Sequence, residues 1–119
     1  IGTHPLPPVS AAAAADRNAQ FAALAMRARQ THTPLVLAGD LNTSPWSPWF
    51  ARLLRDGELR DSADGGGLHS SWPAGWPLLW IPIDHVLVST DIRIQDRRTG
   101  ADFGSDHYPV IVDFQVASR

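Results

Sequence analysis

Hydrophobic residues recur in this sequence at two different spacings, which predict helices in some segments and strands in others. Residues 11–30 are rich in alanine and carry apolar side chains at helical spacing, namely Phe21, Leu24, Ala25 and Ala28. Ser10 precedes this segment and is a suitable N-cap. The pattern therefore predicts a long first helix over residues 11 to about 30. A second helix is predicted over residues 47–55, with Ser47 as its cap and Pro48 in its first position.

Shorter apolar segments predict strands between and after these helices. Residues 35–39 follow Thr33-Pro34 and are apolar throughout, which is typical of a strand buried on both faces. Residues 83–89, 92–96 and 109–116 are further strand candidates, and the last of these alternates between apolar and polar positions. Residues 1–4 read as the end of a strand, because the prolines after them cannot donate to a sheet. This order of elements favours an α/β or α+β fold.

Residues 61–82 are rich in glycine, proline and tryptophan and are predicted to form a long loop. Loops of this length are uncommon in compact domains unless they serve a functional site. The five tryptophans lie in or near this segment: Trp46, Trp49, Trp72, Trp76 and Trp80. Tryptophan can stack on bases or lie at a lipid surface, but packing in a core or loop is the favoured interpretation, since aromatic side chains dominate burial.

Composition narrows the classes of function. Hydrophobic residues make up 44% of the 119 residues and charged residues 18%, which is typical of a globular domain. The formal net charge is −2 and lysine is absent, so no overall basic field would attract nucleic acid. Cysteine is also absent, which excludes disulfides and thiolate metal sites. No apolar run approaches the ~20 residues that span a bilayer.

Polar residues with catalytic potential cluster at the ends of the predicted strands, in the segments 39–42, 82–85 and 104–109. Alternation along a strand would place Asp40 and Asn42 on one face. A carboxylate beside an amide can accept a proton and also donate hydrogen bonds, which phosphate hydrolysis requires. The alternative is that both residues only form a turn.

The segment Gly104-Ser105-Asp106-His107 offers an acid and an imidazole in succession. Because adjacent side chains diverge, we expect a carboxylate from another segment, Asp84, to orient His107 and raise its basicity. Asp106 would then remain available to bind a cation. His85 should point away from Asp84 along the same strand, which favours a packing or supporting role for it.

Taken together, Gly-Asp-Leu-Asn at 39–42, Ile-Asp-His at 83–85 and Gly-Ser-Asp-His-Tyr-Pro at 104–109 resemble the endonuclease/exonuclease/phosphatase superfamily in their order. Thr3-His4-Pro5-Leu6 is similar to the strand-end histidine of that family. The resemblance implies that Asp40 aligns or activates the attacking water and that Asn42 contacts the water or phosphate. It further implies that Asp84 is the partner of His107, that His107 and His4 contact the phosphate, and that Asp106 is a metal ligand.

The resemblance also implies a fold, a cofactor and a substrate class. The expected fold is part of a four-layer α/β sandwich, here largely one sheet with its covering helices. The expected activity is hydrolysis of phosphate esters with Mg²⁺ or Mn²⁺, on nucleic acid, lipid or small phosphoesters. The pattern is more similar to bacterial members of unassigned substrate than to dedicated nucleases. Some of these carry membrane segments upstream, so a cytoplasmic protein and an exposed domain of a membrane-anchored parent both remain open.

Residues 1–119 are expected to form the C-terminal portion of such a domain, with its N-terminal half apparently absent. In the family that half supplies an asparagine and a metal-binding glutamate, and the single glutamate here, Glu58, lies in an apparent loop. We therefore expect weak metal binding, little activity from these residues alone, and a homodimer formed through an exposed apolar sheet face. The alternatives are a non-catalytic binding domain that keeps the fold and, less favoured by the net charge, a nucleic-acid-binding module.

Overall fold

Two helices and five strands form in a computed structural model of the protein, which describes residues 1–64 and 81–117. The helices are α1 (Ala11–Arg29) and α2 (Pro48–Gly57). The strands are β1 (Val36–Asp40), β2 (Leu59–Asp61), β3 (Asp84–Ser89), β4 (Ile92–Thr99) and β5 (Val110–Val116). The predicted α/β fold class is confirmed.

Both helices begin where the sequence predicts, because a serine caps each of them. The Ser10 hydroxyl accepts a hydrogen bond from the N–H of Ala13 at 3.1 Å, and the Ser47 hydroxyl accepts one from Trp49 at 3.3 Å. Each bond satisfies an N–H that the helix itself leaves unpaired. No helix in the described part of the chain has both the length and the apolar composition to cross a bilayer.

The strands form two antiparallel sheets. The first has the order β1-β3-β2, and the second is a hairpin of β4 and β5 with an irregularity between Ile94 and Asp96. Residues 1–3 run alongside the free edge of β1, with a parallel bridge between Gly2 and Ala38. The N–H of Thr3 donates to the carbonyl of Ala38 at 3.0 Å. This edge pairing carries the chain directly to His4.

The core lies between the two helices and one face of the first sheet. Its members are apolar and almost fully buried, and they include Phe21, Ala25, Leu37, Leu41, Phe50, Leu53 and Leu87. Leu37 and Leu87 are directly paired across β1 and β3, so both project toward the helices. Packing of the helices against this face sets which side chains of β1 and β3 face the opposite way.

Several local predictions differ from the structure. The strand predicted to be buried on both faces is buried at Leu37 but only half-buried at Val36 and Ala38. Strand β2 was not predicted, since its three residues are too short to show a period and form by pairing with β3. Trp46 is 66% exposed, so packing is the wrong interpretation for it. Most of the predicted 61–82 loop, with Trp72, Trp76 and Trp80, lies outside the described residues.

Candidate active site

Strand register places two carboxylates side by side at one end of the first sheet. Asp40, the last residue of β1, is the direct partner of Asp84, the first residue of β3. Directly opposed side chains lie about 5 Å apart on the same face of a sheet, and like charges in such positions repel. The side chains of Asp40 and Asp84 project away from the helices, since Leu37 and Leu87 project toward them. Histidines on neighbouring segments approach this pair of acids.

His4 reaches the site because Gly39 lets the N-terminal segment approach β1 closely. A Cβ atom on Gly39 would lie 1.8 Å from the carbonyl oxygen of Thr3, and Gly39 has a φ of +154°. The resulting approach places Nε2 of His4 3.5 Å from Oδ2 of Asp40. His4 remains largely exposed there, so its imidazole can reach a ligand.

Asn42 follows the strand in a left-handed backbone conformation, with a φ of 48°. Its N–H donates to Oδ1 of Asp40 at 2.8 Å, and its side-chain amide donates to the carbonyl of Pro5 at 2.8 Å. The first of these bonds is the turn that the simpler sequence interpretation describes. It also orients the Asp40 carboxylate, so the turn and the site use the same contacts. Leu41, between the two polar residues, is fully buried in the core.

His107 is oriented by Asp84, as predicted. Nδ1 of His107 lies 2.7 Å from Oδ2 of Asp84, and a carboxylate at that position accepts the N–H of the ring. Nε2 of the same ring lies 3.7 Å from Oδ2 of Asp40. The hydroxyl of Ser105 accepts a hydrogen bond from the His107 N–H at 3.2 Å and so shapes the turn that presents the ring.

The two imidazoles thus converge on a single oxygen, Oδ2 of Asp40. The separations of 3.5 and 3.7 Å are longer than ordinary direct hydrogen bonds of about 2.7–3.2 Å. The side chains of Asp40, Asp84 and His107 are 15%, 21% and 25% exposed, so the group is partly shielded but open to solvent. A water molecule placed among these groups could contact the Asp40 carboxylate and one nitrogen of each imidazole.

A cation could be held by the same group. One ligand atom from each of Asp40, Asp84 and His107 lies within 4.8 Å of the others. Asp106, the metal ligand implied by the resemblance, is exposed, and its Oδ1 lies 3.5 Å from the hydroxyl of Ser105. The structure does not bring Asp106 into the three-residue group. Glu58 caps α2 at the opposite end of the sheet and pairs with Arg29 at 3.4 Å.

Behind the site, buried polar residues support β3. His85 is 2% exposed and faces the helices, so it diverges from Asp84 as expected. Burial alone would raise the pKa of Asp61. The His85 imidazole (3.8 Å), the N–H of Ala63 (3.0 Å) and the charge of Arg97 outweigh burial and lower that pKa below the ordinary aspartate value. Burial also lowers the pKa of Arg97, against the opposing effect of Asp61 and Asp84.

Arg17 is a residue near the site that sequence reasoning missed. It lies on α1, is 8% exposed, and donates from Nη1 to the carbonyl of Asn42 at 3.1 Å. The signal available in the sequence was a charged residue close to the apolar face of the first helix, seven residues after its N-cap. Helical periodicity alone does not show what such a side chain contacts.

Comparisons with solved structures show a common fold at low sequence identity. A functionally unknown conserved protein from Enterococcus faecalis V583 aligns with a TM-score of 0.77 and 18% identity over 97% of this chain and 48% of its own. The human Nocturnin catalytic domain with bound sulfate aligns with a TM-score of 0.72 and 19% identity, over 98% of this chain and 46% of its own. The mannosyl-6-phosphatase of Bacteroides thetaiotaomicron VPI-5482 aligns with a TM-score of 0.62 and 20% identity, over 90% of this chain and 47% of its own.

The chain therefore spans about half the length of these solved structures. No curated protein sequence matches it significantly. The sequence profile of the Endonuclease/Exonuclease/phosphatase family matches residues 2–107, a range that includes every residue of the site described above. Members of this family are hydrolases that act on phosphate esters. The chain belongs to the Endonuclease/Exonuclease/phosphatase family.

Proposed function

We propose that the protein hydrolyses phosphate esters by in-line attack of a water molecule that Asp40 aligns and deprotonates. The observation that supports this most directly is the convergence of the imidazoles of His4 and His107 on Oδ2 of Asp40. This arrangement puts a proton acceptor beside two groups that can donate hydrogen bonds to phosphoryl oxygens, and such positioning supplies most of the catalysis in phosphoryl transfer.

The contacts divide the work among the residues. Oδ1 of Asp40 already accepts the N–H of Asn42, so Oδ2 is the oxygen that takes the proton from water. His107, held at Nδ1 by Asp84, presents Nε2 to the phosphate; when both ring nitrogens carry a proton, Nε2 can donate its proton to the leaving oxygen, and the ring stays neutral with Nδ1–H bound to Asp84. His4 contacts a second phosphoryl oxygen, and the Asn42 amide contributes a further hydrogen bond.

The donor set fits a divalent cation. Carboxylate oxygens are the preferred ligands of Mg²⁺ and Mn²⁺, and Asp40 and Asp84 offer two of them beside His107. We propose that Asp106 joins this set in the whole protein, as the sequence resemblance implies. A bound cation would neutralise charge on the phosphoryl group and stabilise the leaving oxygen.

The first experiment substitutes the proposed base. We expect Asp40→Asn to lower kcat by about 10²–10⁴-fold, because an amide cannot accept the proton from water. Asp16→Asn, an exposed aspartate on α1, is the matched control and should retain the wild-type rate. Turnover is measured with Mg²⁺ and with Mn²⁺ on the full-length protein. A wild-type rate in Asp40→Asn would exclude Asp40 as the base.

A second experiment determines the substrate class by testing the protein on a panel of phosphate esters. A sugar phosphate, a lipid phosphodiester and a DNA substrate separate phosphatase, lipid-phosphate hydrolase and nuclease. The mannosyl-6-phosphatase with the same fold makes a phosphomonoester a sensible first member. The net charge of −2 and the absence of lysine argue against DNA, whose binding depends on released counterions and thus on basic residues. Tight binding of one panel member without turnover would favour the alternative, a non-catalytic binding domain.

Two further proposals concern residues 1–119 taken alone. We propose that they form the C-terminal portion of a larger domain and that by themselves they bind divalent cations weakly and turn over slowly. We also propose that they form a homodimer through exposed apolar side chains. On β5, Phe114 and Val116 are each 44% exposed and lie on the same face of the strand. Exposed apolar surface of this kind favours association.

A further inference from the structure

Two buried basic side chains on different elements hold the loop that follows Asp40. Nη1 of Arg17, on α1, donates to the carbonyl of Asn42 at 3.1 Å. Nε2 of His85, on β3, lies 2.8 Å from the carbonyl of Thr43, and a carbonyl can only accept, so the ring donates. Successive peptide carbonyls are therefore each anchored from the side opposite the catalytic face.

Burying the charged side chain of Arg17 has a desolvation cost that packing alone would not require. Its Nε and Nη2 both donate to the side-chain oxygen of Asn18, at 3.3 and 3.1 Å, and its guanidinium lies 5.6 Å from the ring centre of Phe21. Within the described residues, no carboxylate lies at ion-pair distance from it. The side chain is buried, and burial lowers the pKa of Arg17 because it removes water from the guanidinium. An apolar side chain would avoid this cost but could not bind the Asn42 carbonyl.

His85 is held in place by contacts that direct Nε2 toward the loop. Its ring packs against Phe50 with centroids 4.4 Å apart and contacts Asp61 through Nδ1 at 3.8 Å. Packing on Phe50 and the position of Asp61 on the Nδ1 side orient the ring so that Nε2 faces Thr43. The core of the protein, through Phe50 and Asp61, therefore sets the position of the Thr43 carbonyl, which directly follows Asn42.

The loop itself needs this support. Asn42 adopts a φ of 48°, a left-handed conformation that asparagine tolerates better than most residues but that is still less favourable than the helical and extended regions. Its N–H bond to Asp40 and its amide bond to Pro5 both depend on that conformation. Loss of the anchors would allow Asn42 to relax and would release the Asp40 carboxylate from its orientation.

We propose that Arg17 and His85 are positioning residues, which bind the carbonyls of Asn42 and Thr43 and thereby hold Asp40 and Asn42 in their working geometry. The kinetic part of this inference rests on the proposed phosphoesterase function. The structural part does not, because the orientation of the loop can be measured without substrate. Neither residue contacts the reacting atoms.

The kinetic test compares Arg17→Met with Arg17→Lys in the full-length protein. Methionine keeps an apolar stem without a donor, whereas lysine keeps a charge and a donor. We expect Arg17→Met to lower kcat by roughly 10–100-fold with KM within about twofold, since small displacements of catalytic groups cost rate more than binding. Arg17→Lys should recover part of that loss. Arg27→Met, an exposed arginine of the same helix, is the control and should match the wild type.

The structural test measures hydrogen exchange at the Asn42 N–H, with NMR as the readout and with neither substrate nor metal present. We expect faster exchange at Asn42 in Arg17→Met and in His85→Leu, with exchange in β1 unchanged. If the wild type hydrolyses none of the panel, the proposed function fails, and this exchange result still decides the present inference.

The outcomes are separable. A folded Arg17→Met or His85→Leu protein with wild-type kcat and wild-type exchange at Asn42 would overturn the proposal. An equal kinetic loss in Arg27→Met would also overturn it. If either variant unfolds, the other decides by the same criteria. Unfolding of both would assign these residues to global stability and would likewise overturn a specific positioning role.

Discussion

At the scale of single residues, the site depends on two backbone positions as much as on its acids and imidazoles. Gly39 leaves room for the carbonyl of Thr3, and Asn42 turns the chain so that its N–H reaches Asp40. Neither position carries out chemistry. Both determine whether His4 and Asp40 meet, because each controls the approach of one segment to another.

We expect Gly39→Ala to displace residues 1–3 from β1 and to move His4 away from Asp40. The added Cβ would lie 1.8 Å from the Thr3 oxygen, far inside any real contact, so the backbone must shift. Turnover and the temperature of unfolding should both fall. Gly2→Ala is the matched control, since a Cβ there meets nothing within 4 Å. Unchanged turnover in Gly39→Ala would show that the edge pairing is dispensable.

At the scale of elements, β3 connects the face that carries the candidate site with the buried polar residues behind it. Asp84 projects toward the site, and the next residue, His85, projects toward α2 and Asp61. Asp61 ends the short strand β2, which pairs with the far half of β3. Asp61 is buried and contacts His85, so it supports β3 from the side opposite the candidate site.

We expect the free energy of unfolding to depend on pH through Asp61. The pKa of Asp61 is lowered in the folded protein, so the unfolded chain takes up its proton first as the pH falls. The stabilisation is complete above about pH 4, the ordinary range of aspartate, and is lost as the pH drops through the folded pKa. We expect urea denaturation to show a free energy of unfolding that decreases below about pH 4.

Asp61→Asn should reduce this dependence on pH and lower the stability at neutral pH, because the amide cannot carry the charge that His85 and Arg97 stabilise. Asp16→Asn should retain the wild-type profile, since that side chain is exposed. An identical pH profile for Asp61→Asn and the wild type would mean that Asp61 contributes no proton-linked stability.

At the scale of the whole molecule, apolar side chains of β5 and the nearby loop face solvent. Phe103 is 69% exposed, and Phe114 and Val116 are 44% exposed. We expect the 119 residues to associate in sedimentation and light-scattering experiments, and Phe114→Ser to weaken that association. Val9→Ser, at an exposed apolar residue before α1, is the control. A stable monomer at high concentration would contradict the homodimer.

We also expect residues 1–119 alone to bind Mn²⁺ weakly and to hydrolyse the panel slowly. The described residues bring together only Asp40, Asp84 and His107 as a possible cation site, and Glu58 lies at the other end of the sheet. Hard divalent cations usually require more oxygen ligands than this. Rapid Mg²⁺-dependent turnover by these residues, abolished by Asp40→Asn, would refute the expectation.

The sequence by itself determined the two helices, the longer strands and the family to which the chain belongs. Caps such as Ser10 and Ser47 act within one helical turn, and apolar periodicity is written into consecutive residues, so both helices and the longer strands were predictable. The pairing of Asp84 with His107 was also predictable, because adjacent Asp106 could not orient the ring.

Only the tertiary structure decided how these elements meet. The register that sets Asp40 against Asp84, the close approach of Thr3 to Gly39, and the bond from Arg17 to Asn42 each join residues distant in the sequence. Strand β2 likewise exists because β3 supplies its hydrogen bonds. Local patterns specify the conformation of neighbouring residues, whereas register and buried contacts depend on packing of the whole core, which no short segment encodes.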